Sequence, residues 1–355
     1  MPRANVRRSA GLIAAVVFLI TGAIWVSLRN GGPSENRETG AIETIVKSGN
    51  LSVDYTISQA LADVDRLGLN MVNVPIMVTV EHLSSSSMAL DPESVSKAIA
   101  MIRELRGQKV KVLLEPYPWI GGGEYYETEW KPDDADAFFR EWGRIVEEVV
   151  DKVAIPESAD AVCVASNLVY LEQYEDRWVD LIDRVKARYD GSVTYRTNWW
   201  YTAEWDEQSR DAYERKLNNG IFGKVDFISI AAYFELTDRP RNTVKQLREA
   251  LRASTIYGRN QNIVGEIERL HEKWNKPIFF GELGFPKREY AAMQPWNPAP
   301  SDRYSAEEQA RAFEAYRLTF DQAWFMGFSV FAIGLDAEDK SYYPSEESAA
   351  VIRDW

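Results

Sequence analysis

The chain has 355 residues, of which 45% are hydrophobic and 27% charged, and its formal net charge is −13. This length can bury a large core, whereas the acidic balance argues against a nucleic-acid partner, which would need a basic face on the protein. With one cysteine and two histidines the chain cannot form an internal disulfide or a cysteine- or histidine-rich metal site, and we expect neither a metal nor a cofactor.

The N-terminal segment predicts a membrane anchor. Three arginines within the first eight residues precede the segment 10–28, which has no charged residue. A helix that crosses about 30 Å of hydrocarbon needs about 20 such residues, and the arginines should remain in the cytoplasm. A cleaved signal peptide is the alternative, and either reading places the remainder outside the cytoplasm, at the cell surface or in the periplasm. The predicted segments are a basic cytoplasmic tail over 1–8, a transmembrane helix over 9–28, a polar linker over 29–45 and a folded domain over 46–355.

Short apolar runs recur along the folded domain. They are continuous rather than alternating, which is typical of parallel strands that are buried on both faces. Eight of these runs are strand candidates: 51–55, 69–79, 110–115, 161–166, 193–198, 226–233, 277–282 and 328–333.

Helix signals lie between these runs. Asp91 followed by Pro92 predicts the start of a helix that ends near Arg106, and the segment 305–308 has the pattern of a capping box. Further helices are predicted over 133–153, 170–189 and 344–355. Eight strands with intervening helices predict an α/β fold, the (β/α)₈ TIM barrel. A doubly wound open sheet is the alternative, but no dinucleotide-binding motif or P-loop follows an early strand.

Polar and aromatic side chains mark the ends of the predicted strands. In a (β/α)₈ barrel the active site lies at the C-terminal ends of the strands. Aromatic rings also suit the apolar C–H faces of sugars, so these positions predict a saccharide site. The candidates for substrate contact are Glu115, Tyr117, Trp119, Asn198, Trp199, Trp200 and Glu235. Three further candidates for the site at the strand ends are Asn167, Tyr233 and Glu282.

The segment 276–284 carries the clearest chemical signal. Its apolar strand ends in Glu282, which lies between Gly281 and the glycine at 284. A carboxylate in this position is partly desolvated and faces the mouth of the barrel, which suits a nucleophile that attacks an anomeric carbon. A helix-capping or ion-paired structural role is the alternative.

This segment resembles the nucleophile strand of clan A glycoside hydrolases and is most similar to the β-mannanase-type family 113. The segments 67–72, 110–117, 162–168, 194–199 and 226–234 resemble further strands of that family, in the same order. The resemblance implies a retaining mechanism on a β-linked oligosaccharide or polysaccharide, with Glu282 as the nucleophile. It also implies that Tyr233 donates a hydrogen bond to Glu282 and that the rings near Trp199 line the cleft.

The second carboxyl group of such a site is absent from its expected place. A retaining glycosidase needs this group about 5–5.5 Å from the nucleophile, to protonate the leaving oxygen and later to deprotonate water. The resemblance implies a glutamate at the end of the fourth strand of the barrel, where this chain has Asn167 or, in a register shifted by one, Leu168. Neither side chain can act as an acid. The candidates for a replacement are Glu115, Glu235 and Glu172, and Glu115 is favoured because the sequence around it predicts a shaped loop.

Three outcomes remain open for the chemistry. Another carboxylate replaces the missing acid, or the protein acts only on substrates with good leaving groups, because acid–base assistance is worth about 10²–10⁴-fold. In the third outcome the barrel binds glycans without catalysis. The leading hypothesis is a membrane-anchored glycoside hydrolase that acts on an extracytoplasmic polysaccharide. The competing hypothesis is a non-catalytic carbohydrate-binding barrel.

Overall fold

The computed structural model describes residues 45–335 and 340–355. The predicted cytoplasmic tail and transmembrane helix, with nearly all of the predicted linker, lie outside the described residues. Within the described ranges no helix is both long enough and apolar enough to cross a membrane.

The strands form a closed parallel barrel. Its first strand pairs in parallel with both the second and the last strand, which closes the sheet. A short additional strand, Met88–Leu90, pairs antiparallel with the second. The predicted (β/α)₈ barrel is therefore confirmed. The strands are β1 (Val46–Leu51), β2 (Met71–Val80), β3 (Met88–Leu90), β4 (Lys111–Ile120), β5 (Ala161–Ser166), β6 (Ser192–Asn198), β7 (Ile228–Ala231), β8 (Ile278–Leu283) and β9 (Phe325–Ile333).

Helices follow the barrel strands and cover the outside of the barrel. Several begin at a side-chain cap, such as Asp91 and Ser305, whose side chains accept from the backbone N–H three residues further along the chain. The helices are α1 (Ile57–Leu67), α2 (Pro92–Gly107), α3 (Ala135–Val149), α4 (Glu175–Lys186), α5 (Glu207–Leu217), α6 (Ile221–Lys224), α7 (Val244–Ala250), α8 (Ile263–Trp274), α9 (Ala306–Arg317) and α10 (Glu346–Asp354).

The first strand lies earlier in the chain than predicted. The expected bounds 51–55 are wrong, because β1 ends at Leu51 and is followed by the start of α1. The sequence of β1 has no continuous apolar run, because the strand carries polar residues that point into the barrel. There Ser48 Oγ donates to Asn73 Oδ1 at 2.9 Å, and Asn50 Nδ2 donates to the carbonyl of Gly281 at 2.9 Å. Buried polar groups are tolerated when they are hydrogen-bonded to one another in this way.

The strand β4 is longer than predicted, and this changes the interpretation of Glu115. The segment 110–115 was expected to end in a loop that contains Pro116 and Pro118, but the strand continues to Ile120. Both prolines pair in register with β2, while β5 pairs with β4 only at Leu113 and Leu114. Glu115 therefore lies within the strand and is buried, rather than at its end.

A cluster of aromatic rings packs the outside of the barrel under α3 and α4. Trp142 and Trp178 are fully buried. Trp130 is also fully buried, and its Nε1 donates to the carbonyl of Ser85 at 3.0 Å. The rings of Trp130 and Phe138 lie 5.0 Å apart in an edge-to-face arrangement. Trp130 thus anchors the loop that follows β4 to the core.

Closure of the barrel depends on a glycine at the seam between β1 and β9. Gly327 has φ 143°, and an added Cβ would lie 2.0 Å from the carbonyl oxygen of Val46. We expect Gly327→Ala to lower the free energy of unfolding by about 1–3 kcal/mol from backbone strain, with a further loss from displacement of β1. Denaturant unfolding of the purified protein measures this change.

The matched control is Gly107→Ala, at the end of α2, where an added Cβ would meet no atom of the described residues within 4 Å. This substitution should leave stability unchanged or slightly raised, because alanine restricts the unfolded chain. Equal stability of the two variants would contradict the role of Gly327 in closure.

Candidate active site

Glu282 lies next to the end of β8, and its carboxylate receives hydrogen bonds from three other strands or their ends. Oε1 accepts from Arg196 Nη1 at 2.9 Å and from Asn167 Nδ2 at 3.0 Å. Oε2 accepts from the Tyr233 hydroxyl at 2.9 Å, which is the hydrogen bond implied by the family resemblance. Burial and the Glu282 charge raise the pKa of Tyr233, so its hydroxyl keeps the proton that it donates. Glu282 is 8% exposed, and hydrogen bonds to both carboxylate oxygens fix the orientation of its side chain.

The backbone next to Glu282 leaves room for the Arg196 side chain. A Cβ on Gly281 would lie 2.1 Å from Ser229 Oγ and 2.5 Å from Arg196 Nε. The glycine that precedes Glu282 therefore lets the guanidinium from β6 pass below the carboxylate. The glycine in the local sequence Gly-Glu is thus explained by the close approach of the Ser229 and Arg196 side chains to strand β8.

Arg196 is shared between two carboxylates. Its Nη1 and Nη2 donate to Oε1 and Oε2 of Glu115 at 2.9 and 2.6 Å, which is a bidentate pair. Only one nitrogen of the same guanidinium reaches Glu282. Burial raises the pKa of Glu115, although Arg196 acts in the opposite direction. Both oxygens of Glu115 are occupied by Arg196, so this residue forms part of the floor of the site.

A second carboxylate that the sequence analysis did not single out lies close to Glu282. Glu127 begins the 3₁₀ turn Glu127–Glu129, in the loop after β4. Asn167 Nδ2 donates to Glu127 Oε1 at 3.1 Å while it also donates to Glu282 Oε1. Burial raises the pKa of Glu127 to about 7, and the charge of Glu282 acts in the same direction. One amide group thus connects two carboxylates from distant parts of the chain.

Asn167 is held in a backbone conformation that aims its amide between these carboxylates. It directly follows β5 and has φ 55°, in the left-handed region that asparagine tolerates better than most residues. Its backbone N–H donates to the carbonyl of Arg196 at 3.0 Å. Its Oδ1 is buried and accepts no hydrogen bond from any described residue.

Aromatic residues surround the carboxylates. Tyr117, half-buried on β4, has its pKa raised by burial and by the nearby charges of Glu127 and Glu282. Phe331 and Tyr342, which the sequence analysis did not select, pack against the Tyr233 ring with centroid distances of 6.1 and 6.4 Å. These rings form an apolar wall beside the hydrogen-bonded carboxylate of Glu282.

Three of the other predicted residues lie at the rim. Trp119 is half-buried beside the glycine loop, because a Cβ on Gly123 would lie 2.3 Å from its ring. Asn198 ends β6, and Trp199 follows it with its ring partly packed on the core. Asn198 and Trp199 are half-buried, so each retains a surface that faces solvent.

The structure does not bring two of the predicted residues to the Glu282 carboxylate. Trp200 is buried, and its indole donates to Glu266 at 2.8 Å. Glu235 accepts from Arg259 Nη1 at 2.5 Å and from Trp296 Nε1 at 3.0 Å, which occupies both of its oxygens. The third sequence candidate for the acid, Glu172, is bound by the ammonium group of Lys216.

Glu127 lies outside the predicted strand ends, where the sequence predicts the active site. It follows the glycine loop Gly121–Gly123, which carries no hydrophobic periodicity. Trp130 is nevertheless a usable signal in the sequence, because this tryptophan follows Glu127 by three residues and is buried in the core. A carboxylate so close to a buried tryptophan is held near the barrel.

Comparison with known proteins finds one matching family. The profile of Glycoside Hydrolase Family 113 matches residues 45–350. Similar solved structures include a GH113 β-mannanase from Alicyclobacillus acidocaldarius in complex with ManMIm, with 21% identity, a TM-score of 0.69, and coverage of 89% of this chain and 98% of that chain. A GH113 β-1,4-mannanase has 17% identity, a TM-score of 0.68, and coverage of 88% and 98%.

A β-glucuronidase from Ruminococcus gnavus is a more distant match, with 13% identity, a TM-score of 0.56, and coverage of 88% of this chain and 50% of that chain. At these identities the solved structures show a common fold. No curated protein matches the chain. Because the family profile covers nearly the whole described barrel, the chain belongs to Glycoside Hydrolase Family 113.

Proposed function

We propose that the protein is a retaining glycoside hydrolase that acts on a β-linked polysaccharide with Glu282 as its nucleophile. The observation that carries this proposal is the Glu282 carboxylate itself, which lies at the C-terminal end of a barrel strand. Three donors, Arg196, Asn167 and Tyr233, orient it. Such a carboxylate is placed and activated as a nucleophile for an anomeric carbon.

The donors around Glu282 suit both halves of a double displacement. In the first half an oxygen of Glu282 attacks the anomeric carbon, and the glycosidic bond breaks. In the second half the same carboxylate is the leaving group, and hydrogen bonds from Arg196 and Tyr233 stabilise the negative charge that returns to it. The aromatic residues beside it provide an apolar surface for the ring of the sugar.

The family and two half-buried rings support a proposal for the substrate class. Structural neighbours in the same family are β-mannanases, so manno-configured β-linked polymers are the first substrates to test. Trp119 and Trp199 are half-buried rings at the rim, where a flat face can stack on a sugar unit.

A second candidate function rests on Asn167. This amide occupies the position where the resemblance implies the acid, and an amide cannot donate a proton as an acid. A barrel that binds glycans without cleaving them is the consequence if no other group replaces the acid. Formation of a covalent intermediate distinguishes the two functions, because only the enzyme requires a working nucleophile.

We also propose that residues 9–28 anchor the protein in a membrane with the barrel outside the cytoplasm. The support is in the sequence: an uncharged apolar segment long enough to span a bilayer follows three arginines.

The nucleophile is tested with activated 2-deoxy-2-fluoro glycosides. We expect the wild-type protein to gain the mass of one glycosyl unit, and peptide mapping should place it on Glu282. Glu282→Gln is the matched control and should gain no mass. If manno-, gluco- and xylo-configured reagents all leave the wild-type protein unlabelled, the binding function is favoured over the enzyme.

The role of the tyrosine hydroxyl is tested with Tyr233→Phe. Loss of one hydrogen bond to a charged group costs about 1.5–3 kcal/mol, so we expect kcat/KM on an aryl β-glycoside to fall about 10- to 100-fold. Tyr304→Phe is the control, because Tyr304 is 60% exposed. Equal activity of the two variants would argue against orientation of Glu282 by Tyr233.

The anchor is tested by fractionation of bacterial cells that express the full chain. We expect the wild-type protein in the membrane fraction after alkaline carbonate extraction, with its barrel digested by protease added outside. Val17→Arg should move the protein from this fraction, since arginine at the centre of a span costs about 2.5–3.5 kcal/mol, whereas Val17→Leu should not. A mature N-terminus beyond residue 28 would instead identify a cleaved signal peptide.

A further inference from the structure

We propose that Glu127 is the general acid and base of this site and reaches Glu282 from the loop after β4. The inference rests on the proposed function, since an acid of this kind is needed only if Glu282 is a nucleophile. It assigns to a loop residue the task that the resemblance places at position 167.

The position of Glu127 fits that task. Its Oε1 and the Oε1 of Glu282 lie 3.1 and 3.0 Å from the same nitrogen, Asn167 Nδ2. The two oxygens are therefore no more than about 6 Å apart, which includes the separation of about 5–5.5 Å that retaining enzymes use. The carboxylate is thus close to the location that a glutamate at position 167 would fill.

The loop that carries Glu127 is held by the core. The backbone N–H of Trp130 donates to the carbonyl of Glu127 at 3.2 Å, and the Trp130 ring is fully buried. At the start of the same turn, the carboxylate of Glu129 accepts from the N–H of Tyr126 at 3.2 Å. Because both ends of the 3₁₀ turn are fixed, the side chain of Glu127 is directed to the site by the surrounding structure.

The charges around Glu127 favour its protonated form. Burial raises its pKa to about 7, and the charge of Glu282 adds to this effect. A general acid works best when its pKa is near the operating pH. Since Oε1 accepts from Asn167, the proton of the acid form lies on Oε2.

The competing carboxylates are already engaged. Both oxygens of Glu115 accept from the guanidinium of Arg196. Those of Glu235 accept from Arg259 and Trp296. Glu127 receives only a neutral amide donor from another side chain among the described residues, so it can exchange a proton without breaking an ion pair.

The chemical steps balance with these two residues and water. An oxygen of Glu282 forms a bond to the anomeric carbon while the bond to the leaving oxygen breaks, and that oxygen takes the proton from Glu127. The resulting Glu127 carboxylate then removes a proton from water. The water oxygen bonds to the anomeric carbon, the bond to Glu282 breaks, and both carboxyl groups return to their initial states.

Asn167 is a positioning residue in this scheme. Its two N–H groups each face one carboxylate, which separates Glu127 from Glu282 and orients both. A glutamate at position 167 beside Glu127 would add a further negative charge between them.

The test compares Glu127→Ala with the wild-type protein on two substrates of the same sugar. On the unactivated β-linked glycan, kcat/KM should fall about 10²–10⁴-fold, which is the usual contribution of acid–base catalysis. On a dinitrophenyl β-glycoside, whose leaving group needs no proton, formation of the intermediate should continue and its hydrolysis should slow. Added azide should then restore turnover by attacking the intermediate. Glu124→Gln, an exposed glutamate of the same loop, is the matched control and should retain activity.

The pH profile supplies a readout that a structural role would not affect. In the wild-type protein kcat/KM on the unactivated glycan should fall as the pH rises through about 7, because the acid form of Glu127 is lost. Glu127→Gln should lack this limb. The double variant Glu127→Gln with Asn167→Glu should regain activity, because it returns a carboxyl group to the position that the resemblance implies.

The outcomes separate the two proposals. A wild-type protein that 2-deoxy-2-fluoro glycosides leave unlabelled rejects the nucleophile and with it the role of Glu127. A wild-type protein that is labelled and active, with unchanged kcat/KM and pH profile in Glu127→Ala, rejects the role of Glu127 alone. An equal loss on both substrates without azide rescue also rejects it, because it indicates a structural defect.

Discussion

The carboxyl groups of the active site outnumber its cations among the residues that the structure describes. Glu115 and Glu282 share a single guanidinium, that of Arg196, which binds the first carboxylate through two nitrogens and the second through one. A buried ion is stable only when it is paired and hydrogen-bonded. Glu127, which forms no ion pair with any residue that the structure describes, has its pKa raised to about 7 by burial and by the charge of Glu282, so it can hold a proton near neutral pH.

The amide at position 167 and the glutamate at position 127 are complementary. Asn167 has two N–H groups and no charge, so it can lie between two carboxylates and donate to both. A third carboxylate beside Glu127 and Glu282 would raise the electrostatic cost of the site. The amide that stands in place of the expected acid therefore connects two acidic groups in the fold.

Most of the fold and part of the site were predictable from the sequence. The apolar runs and helix caps predicted the parallel barrel, the end of β8 indicated Glu282, and the family resemblance implied its hydrogen bond with Tyr233. The predicted strand ends at Glu115 and is followed by a shaped loop, whereas β4 continues through Pro116 and Pro118 to Ile120. Proline removes a backbone N–H donor. It does not end β4, because β5 pairs with β4 only at Leu113 and Leu114.

The sequence by itself determined the period of the elements, the order of the strands and the carboxylate at the mouth of the barrel, because these depend on residues that are close together in the chain. The tertiary structure alone decided which charges meet. Asn167 joins Glu127, 40 residues before it, to Glu282, 115 residues after it. Contacts of that separation leave no local pattern, since they arise only when the barrel closes and brings the ends of its strands to one face.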